Sequence, residues 1–321
     1  MASRMGLGRE LLDIAGGILR VTFAVYVPLI VVLVLWHYPY DTDQPAHDED
    51  TAGNSAAFYE AVYSGPDSNG VARRRGLNYE ETARKAAADI QLPQRVGDFI
   101  SRYGLTNGKV LEVGSGQGSL QDVVADYTGL DISNAAAAKY HKKFVVASAT
   151  QMPFPDNTFD GIFTVWVMEH IPEPEKALRE MRRVLKPGGK LYLHVAWNCE
   201  PWFADGFAVR PYSDFTLPGK AVKASLLLRD TGYFKAFYGL PLRSIRWAQY
   251  AVRGKEEPLR FRNLRANYTT YWQADSDAAI SLDSFETLLW HQAQGDKCLN
   301  CASNWNAMGH PEPAWIFEIH K

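Results

Sequence analysis

A turn with three glycines and a neighbouring carboxylate is the part of this sequence best suited to binding chemistry. Residues 111–120 read LEVGSGQGSL, so Glu112 precedes Gly114, Gly116 and Gly118. Glycines let a ligand approach the backbone closely because no side chain stands in the way. The spacing differs from the G-x-G-x-x-G of dinucleotide-binding turns, and no lysine of a phosphate-binding loop follows. A tight turn that binds nothing is the alternative interpretation of this stretch alone.

Residues from two later stretches could complete a site. Asp131 lies in GLDIS, nineteen positions after Glu112. A carboxylate at the carboxyl end of a strand can accept hydrogen bonds from both hydroxyls of a ribose. His170 follows a later apolar run, in MEHIP, and its ordinary pKa of about 6.5 suits a general base. Glu169 is the second catalytic candidate, and a structural role for His170 stays open.

The elements that must position these residues alternate between strands and helices. Strands are predicted at KVLEV, TGLDI, KFVVAS, FDGIFTVWV and KLYLHVAW. Helices are predicted after the glycines to about Val124, in AAAAKYHK and in EKALREMRRVLK. This alternation predicts an α/β fold, a parallel sheet with helices on both faces. Amphipathic helices are predicted within residues 55–103, and SLDSFETLLWHQA and AWIFEIHK as the last helix and strand.

Together these stretches resemble the class I S-adenosylmethionine-dependent methyltransferases, closest to the group with ubiquinone/menaquinone-type and sterol-type enzymes. The matching stretches are VLEVGSGQGSL, GLDIS, ASATQMPFPDNTFDGIF and VMEHIPEPEKALREMRRVLKPGGKLYLH. The resemblance covers about residues 95–198. It implies a Rossmann-like seven-stranded sheet, S-adenosyl-L-methionine as cofactor, and methyl transfer as the enzyme's activity.

The resemblance also implies roles for individual residues. Glu112 and the glycine turn should surround the methionine part of the cofactor, and Asp131 should hold the ribose. Ser148 stands where the family often has Asp, and a neutral hydroxyl binds the adenine amino group more weakly than a carboxylate. The residues implied to bind the cofactor are Glu112, Gly114, Ser115, Gly116, Gly118, Asp131, Ile132, Ser148, Ala149 and Thr150.

An uncharged stretch near the N-terminus predicts a membrane anchor. Residues 21–36 carry no charge, and with their apolar neighbours they approach the ~20 residues that span a bilayer. A signal peptide and a buried soluble helix are the alternatives. Arginines before the stretch and acids after it place the catalytic domain outside by the positive-inside rule. The supply of cofactor from the cytosol instead favours a cytoplasmic-facing domain.

The region after the fifth strand is an insertion that the family does not explain. Residues 206–265 contain twelve Lys or Arg and four Asp or Glu, interleaved with large apolar residues. This composition suits an anionic membrane surface or a phosphorylated lipid, while RNA and an ordinary solvated face are the alternatives. The anchor favours a membrane over nucleic acid. The predicted regions are 1–40 (N-terminal membrane anchor), 41–94 (acidic linker and helical cap), 95–199 (cofactor-binding core), 200–280 (substrate- or membrane-facing insertion) and 281–321 (completion of the core).

Composition limits the remaining possibilities. The 321 residues are 46% hydrophobic and 22% charged, with a net charge of −2 and three cysteines. These values exclude a disordered chain and a disulfide-rich scaffold. Cys298 and Cys301 lack two further zinc ligands at standard spacing, so no metal site is predicted, and a disulfide or free thiols stay open. The sequence predicts a membrane-anchored methyltransferase for a lipid-like or amphipathic small molecule. A non-catalytic methyltransferase-fold subunit of a membrane protein complex is the alternative.

Overall fold

The fold is organised around a seven-stranded sheet. The structure is a computed structural model, which describes residues 16–17, 20–21, 23–34, 50–64, 79–253, 258–309 and 312–321. The strands of the sheet are β1 (Lys109–Val113), β2 (Asp126–Asp131), β3 (Lys143–Val146), β4 (Phe159–Val165), β5 (Leu185–His194), β8 (Lys297–Cys298) and β9 (Ala314–Glu318). A separate two-stranded hairpin contains β6 (Phe261–Asn263) and β7 (Ile280–Leu282).

The strand order is β3-β2-β1-β4-β5-β9-β8. The first five strands are parallel, as predicted, whereas β9 runs antiparallel to β5, and β8 antiparallel to β9. The order reverses between β1 and β4, and ligands of open α/β sheets bind outside the carboxyl ends of the strands at such a point. The glycine turn, Asp131 and His170 all follow these carboxyl ends.

Helices cover both faces of the sheet. Val110 packs in one apolar cluster with Val96 and Phe99, whereas Leu111 packs in another with Leu178 and Met181. Successive strand residues point to opposite faces, so the alternation buries both sides of β1. The helices are α1 (Asp50–Tyr63), α2 (Tyr79–Asp89), α3 (Leu92–Arg102), α4 (Pro174–Val184), α5 (Leu217–Arg229), α6 (Gly232–Arg253), α7 (Ser284–Ala293) and α8 (Asn304–Gly309). The seven-stranded Rossmann-like prediction is confirmed.

Two predicted helices of the core differ from the structure. The segment after the glycines, predicted as a helix to about Val124, forms consecutive turns. The side chain of Gln121 donates to the Lys139 carbonyl and accepts from the His141 amide, which fixes this short connection outside a helix. The stretch AAAAKYHK forms only a 3₁₀ helix, Ala135–Lys139.

The N-terminal apolar residues pack against the insertion. Ile30 and Leu33 are buried against Phe234 and Tyr238 of α6, and the Tyr26 hydroxyl lies 3.0 Å from Thr231 Oγ1. Within the described ranges, no helix is both long and apolar enough to span a bilayer. The predicted transmembrane helix is therefore not supported. Residues 1–15 and 35–49, which include parts of the predicted anchor and acidic linker, lie outside the described residues.

Several basic residues of the insertion, predicted to form a surface for an anionic membrane, instead have partners within the protein. The Arg243 guanidinium contacts the Asp283 carboxylate at 2.7 Å, and Arg246 pairs with Glu286 at 2.5 Å. Arg229 is buried with its guanidinium over the Trp202 ring. Part of the positive charge of the insertion is therefore neutralised by ion pairs inside the protein.

Near the end of the chain, Cys298 and Cys301 form a disulfide.

Candidate active site

The glycine turn is fixed against the end of β2. The amides of Gly114 and Ser115 both donate to the Leu130 carbonyl, at 2.8 and 3.0 Å. Gly114, Gly116 and Gly118 all have positive φ, between 47° and 75°, a region that glycine adopts without a steric penalty. A Cβ added to Gly118 would lie 2.8 Å from the Tyr140 ring. The backbone path therefore requires glycine at this position.

Asp131 lies directly beside this turn. It is 6% exposed, and its two carboxylate oxygens accept hydrogen bonds from the amides of Gly116 (2.8 Å) and Ser133 (3.0 Å). Burial raises the pKa of Asp131, and these hydrogen bonds oppose the rise. The structure thus brings together the carboxylate and the turn that the sequence assigned to one site.

Glu112 is buried on the other side of the turn. Burial raises the pKa of Glu112 to about 8, although the hydroxyl of Tyr127 donates a hydrogen bond to its carboxylate and opposes the rise. The charge of Asp131 adds to the increase. Tyr127 was not predicted from the sequence, because its role depends on the parallel pairing of β1 with β2. Near neutral pH Glu112 is mostly protonated until a positive group approaches it.

The residues predicted at the adenine end follow β3. The Ser148 hydroxyl lies 2.8 Å from Thr150 Oγ1 and accepts from the Thr150 amide at 3.2 Å. The Ala147 amide donates to the Asp131 carbonyl at 2.9 Å, so this segment adjoins the end of β2. Ala149 packs on the main core, whereas Ile132 packs with the aromatic residues of α1.

Helix α1 packs beside the glycine turn and the end of β2. One oxygen of Glu60 accepts from the Ser133 hydroxyl (2.7 Å) and from the Ala135 amide (3.0 Å). These hydrogen bonds lower the pKa of Glu60. The Tyr63 hydroxyl lies close to Gly116, 3.2 Å from where a Cβ would stand. Sequence reasoning missed Glu60, because its partners are 73 and 75 positions away.

His170 lies at the acceptor side, in contact with a segment of the insertion. Its Nδ1 is 3.3 Å from the Asp277 carbonyl oxygen and 3.5 Å from Asp277 Oδ2. The Tyr59 hydroxyl donates to the same Oδ2 at 2.7 Å, and His170 Nε2 lies 3.8 Å from Glu169 Oε1. Asp277 is the functional candidate that sequence reasoning missed, because 107 positions separate it from His170.

The charges of this cluster are strongly perturbed. Burial lowers the pKa of His170, but the carboxylates of Asp277 and Glu169 outweigh it, so the net shift is upward. Burial raises the pKa of Glu169 to about 7, which the charge of His170 opposes. Perturbed groups that converge in this way are common at functional sites.

The residues present fit S-adenosylmethionine. The Ser115 hydroxyl is buried and has no hydrogen-bond partner among the described residues. Buried polar groups are normally paired, so this hydroxyl is available to a ligand in the turn. The Asp131 carboxylate has the position expected for a ribose partner, and Glu112 is suited to a positive group.

Comparison with known proteins agrees with this site. The methyltransferase domain family Methyltransf_11 matches residues 111–193. A ubiquinone biosynthesis O-methyltransferase of Pseudomonas fluorescens is 32% identical over 172 residues, which cover 49% of this chain and 69% of that protein. A ubiquinone/menaquinone biosynthesis C-methyltransferase, UbiE, of Hahella chejuensis is 29% identical, covering 43% and 55%. The solved structure of CalS10, an amino pentose methyltransferase from Micromonospora echinaspora, is 21% identical, covering 34% and 51%, with a TM-score of 0.31.

The chain belongs to the class I S-adenosylmethionine-dependent methyltransferases, in the group with the ubiquinone/menaquinone and sterol methyltransferases. S-adenosylmethionine is therefore its cofactor. The family model matches the part of the chain that contains the glycine turn, Asp131 and His170. The chain spans 55% of the Hahella relative's length, and 31% of a sterol 4-C-methyltransferase of Caenorhabditis elegans that is 33% identical to it.

Proposed function

We propose that this protein transfers a methyl group from S-adenosylmethionine to a lipid-like or amphipathic small molecule. The observation that carries the proposal is the adjacency of two clusters, Asp131 with the glycine turn, and His170 with Asp277. Tyr63 connects them, because its hydroxyl lies beside Gly116 and its ring stacks on that of Tyr59, whose hydroxyl binds Asp277. When bound, the cofactor supplies a methyl group on a sulfonium, which is a strong leaving group.

The protein's own residues have separate tasks in this proposal. Asp131 and the glycine turn hold the cofactor, while α1 and its tyrosines exclude water. The contacts of His170 Nδ1 with Asp277 leave Nε2 to accept a proton from an oxygen or nitrogen acceptor. Glu169, beside Nε2, is the second candidate for this proton. Orientation of the acceptor toward the methyl group supplies the rest of the rate enhancement.

A lipid-like acceptor is supported by the names of the relatives and by the surface of the insertion. Those relatives methylate intermediates of ubiquinone or menaquinone biosynthesis, or sterols, as their names state. Helix α6 and residues 21–32 expose large apolar side chains on packed, neighbouring elements. The exposed residues are Val21, Phe23, Val25, Leu29, Val31, Val32, Tyr233, Phe237, Leu240, Ile245, Trp247 and Val252.

We further propose that this apolar surface lies on a membrane, together with the N-terminal anchor, and that the catalytic domain faces the cytoplasm. Exposed apolar patches of this kind mark interaction sites, and basic side chains beside them favour an anionic bilayer. The cytosolic supply of the cofactor supports the orientation.

The methyl transfer is tested with the full chain and S-adenosylmethionine that carries a ¹³C-labelled methyl group. We expect label to appear in a lipid-soluble product when membrane lipid extract is added, as read by mass spectrometry. Asp131→Ala is the control that should label nothing. Binding of cofactor without any labelled product from lipid or soluble extracts would favour the non-catalytic subunit.

The membrane surface is tested with anionic vesicles. We expect binding that falls as salt rises, because charge attraction is screened over about 10 Å at 0.1 M salt. A salt-resistant fraction should remain, since apolar burial is not screened. Replacing Phe237, Ile245 and Val252 with Asn should remove that fraction. Arg260, Arg262 and Arg265 changed to Gln should instead reduce the salt-sensitive part. A chain that ignores such vesicles at low salt would contradict the proposal.

A further inference from the structure

The fully buried carboxylate of Glu169 lies beside His170 and makes only weak contacts. Glu169 is 0% exposed, and neither of its carboxylate oxygens makes a hydrogen bond of acceptable geometry within the described residues. The amides of Glu169 and Ala196 are near enough to lower its pKa somewhat, although burial outweighs them. A buried carboxylate costs free energy unless it is paired, protonated or bound to a metal. The Glu169 carboxylate pairs with His170 only at 3.8 Å, so its oxygens can still bind a further ligand.

Two other ligand groups converge with Glu169. One atom each of Glu169, His170 and Asp275 lie within 4.8 Å of one another. Asp275 has a φ of 60°, a conformation that is uncommon for residues other than glycine and that persists only where the surroundings hold it. The turn that contains Asp275 is held to Glu169, because the Ala279 amide donates to the Glu169 carbonyl at 2.8 Å.

The orientation of His170 is the one that metal-binding histidines share. Such a histidine usually donates one ring N–H to a carbonyl or carboxylate and binds the metal through the other nitrogen. Here Nδ1 faces the Asp277 carbonyl at 3.3 Å and its carboxylate at 3.5 Å. That contact leaves Nε2, which lies 3.8 Å from Glu169 Oε1, for a ligand. The Tyr59 hydroxyl holds the Asp277 carboxylate in turn, at 2.7 Å.

We propose that Glu169, His170 and Asp275 bind one divalent metal cation. Two carboxylates and one imidazole suit Mn²⁺ or Zn²⁺, and Mg²⁺ less well, because oxygen ligands favour hard cations and imidazole favours transition metals. A cation about 2.0–2.2 Å from each ligand atom places three such atoms roughly 3–3.8 Å apart in tetrahedral or trigonal geometry. Because the three ligand atoms lie within 4.8 Å of one another, binding requires them to move together by at most about an ångström per pair.

The role of this cation, though not its binding, rests on the proposed function. The Tyr59 ring contacts His170 and stacks on Tyr63, which lies beside the glycine turn, so the metal site and the cofactor cluster are neighbours. A cation there would bind a hydroxyl oxygen of the acceptor and lower its pKa, with the proton released to water. His170 would then be a ligand instead of the base, and the acceptor class would be an oxygen nucleophile, such as a phenol or an enol.

The experiment is a titration of the full chain with Mn²⁺, in which the electron paramagnetic resonance of free Mn²⁺ reports binding. We expect one equivalent to bind to the wild type. Glu169→Gln and Asp275→Asn should each weaken binding by at least about tenfold, since even indirect supports of a metal ligand change affinity by about 10–100-fold. Asp131→Asn is the matched control. It removes another buried carboxylate of the same sheet edge, and should keep Mn²⁺ binding while losing cofactor binding.

Thermal unfolding gives a second readout that a purely structural role would not produce. Mn²⁺ should raise the melting temperature of the wild type and of Asp131→Asn, because a ligand of the native state stabilises it. It should not raise that of Glu169→Gln or Asp275→Asn. Glu169→Gln removes a fully buried charge and could prevent folding. In that case Asp275→Asn alone tests the metal site, because Asp275 is only half-buried.

The metal site is overturned if neither Mn²⁺ nor Zn²⁺ binds the wild type at millimolar concentration. It is also overturned if Asp275→Asn binds as the wild type does. Failure of the proposed function would look different. The protein would not bind the cofactor, which would contradict methyl transfer. It would still bind Mn²⁺, and the variants would still weaken that binding, which would support the metal site.

Discussion

The cofactor region and the acceptor region of this protein are built in different ways. The cofactor region comes from one continuous segment, and the carboxylate of Asp131 is held by the backbone amides of Gly116 and Ser133. The acceptor region joins α1, His170 and the turn around Asp277, which are separated by more than 100 residues. There the Asp277 carboxylate is held by the side-chain hydroxyl of Tyr59 and contacts the His170 ring. A backbone-held site keeps its shape when side chains change, whereas a site held by side chains can be altered by single substitutions.

The largest expected effect separates the regions at His170. His170→Ala should lower turnover by about 10²–10⁴, the range for loss of a general base, and leave cofactor affinity nearly unchanged. Initial rates and a cofactor titration of the same preparation measure both quantities. His194→Ala is the matched control, since His194 is also buried near this sheet edge but contacts Tyr192 and Trp166. Full activity in His170→Ala would return His170 to a structural role.

The next effect tests the cofactor region. Asp131→Ala should weaken cofactor binding by about 100-fold or more, because two charge-assisted hydrogen bonds of about 1.5–3 kcal/mol each are lost. Ser148→Ala should cost less than about tenfold, since one neutral bond is lost. Isothermal titration of both variants provides the comparison. Equal losses of cofactor affinity in the two variants would show that Ser148 does not lie at the adenine end of the site.

A smaller effect concerns the contact between α1 and the acceptor region. Tyr59→Phe removes the hydrogen bond to Asp277 and leaves a buried carboxylate with one fewer partner, at a cost of about 1–3 kcal/mol. We expect lower turnover and a melting temperature reduced by about 2–4 °C per kcal/mol. Tyr79→Phe, in the same aromatic cluster, should change neither, as no hydrogen bond from its hydroxyl is present in the described part of the chain.

The smallest effect is a pH dependence of cofactor binding through Glu112. The folded protein raises the pKa of this residue to about 8, so between its ordinary pKa and pH 8 it is mostly protonated. Bound cofactor, which is positive near Glu112, favours the ionised form and releases the proton. Cofactor affinity should therefore rise with pH up to about 8, by at most about tenfold per unit. Asp131 and Tyr127 face Glu112, and Asp131 would contribute a rise of the same sign at lower pH.

Glu112→Gln separates these contributions. In this variant, cofactor affinity should no longer increase with pH up to about 8. Any increase at lower pH that comes from Asp131 should remain. The variant should also be more stable than the wild type at pH 7–8, because the raised pKa of Glu112 makes the folded wild type less stable as pH increases above the ordinary value. Titrations at several pH values and thermal melts measure both. An unchanged pH profile in the variant would contradict the assignment of Glu112 to the cofactor.

The cofactor region could be predicted from sequence because its signals are local. The strands are short apolar runs, and Gly114, Gly116 and Asp131 lie at the ends of two of them. The prediction of a helix up to Val124 was wrong. The Gln121 side chain binds the Lys139 carbonyl, 18 positions later, and this contact holds the segment in turns. The acceptor region was mostly missed. No local pattern places Asp277 beside Tyr59, 218 positions away. The arginines of the insertion make its composition basic, but the sequence does not show that Asp283 and Glu286 pair with two of them.

The late position of β9 in the chain has a consequence for folding during synthesis. Strand β5 ends at His194 and its neighbour β9 begins at Ala314, so the ribosome makes about 120 residues between them. At about 5–20 residues per second, β5 remains an unpaired edge for roughly 6–24 s. An open apolar edge strand is a template for aggregation. The insertion that contributes Asp277 to the acceptor region thus also sets how long the nascent cofactor region exposes this edge.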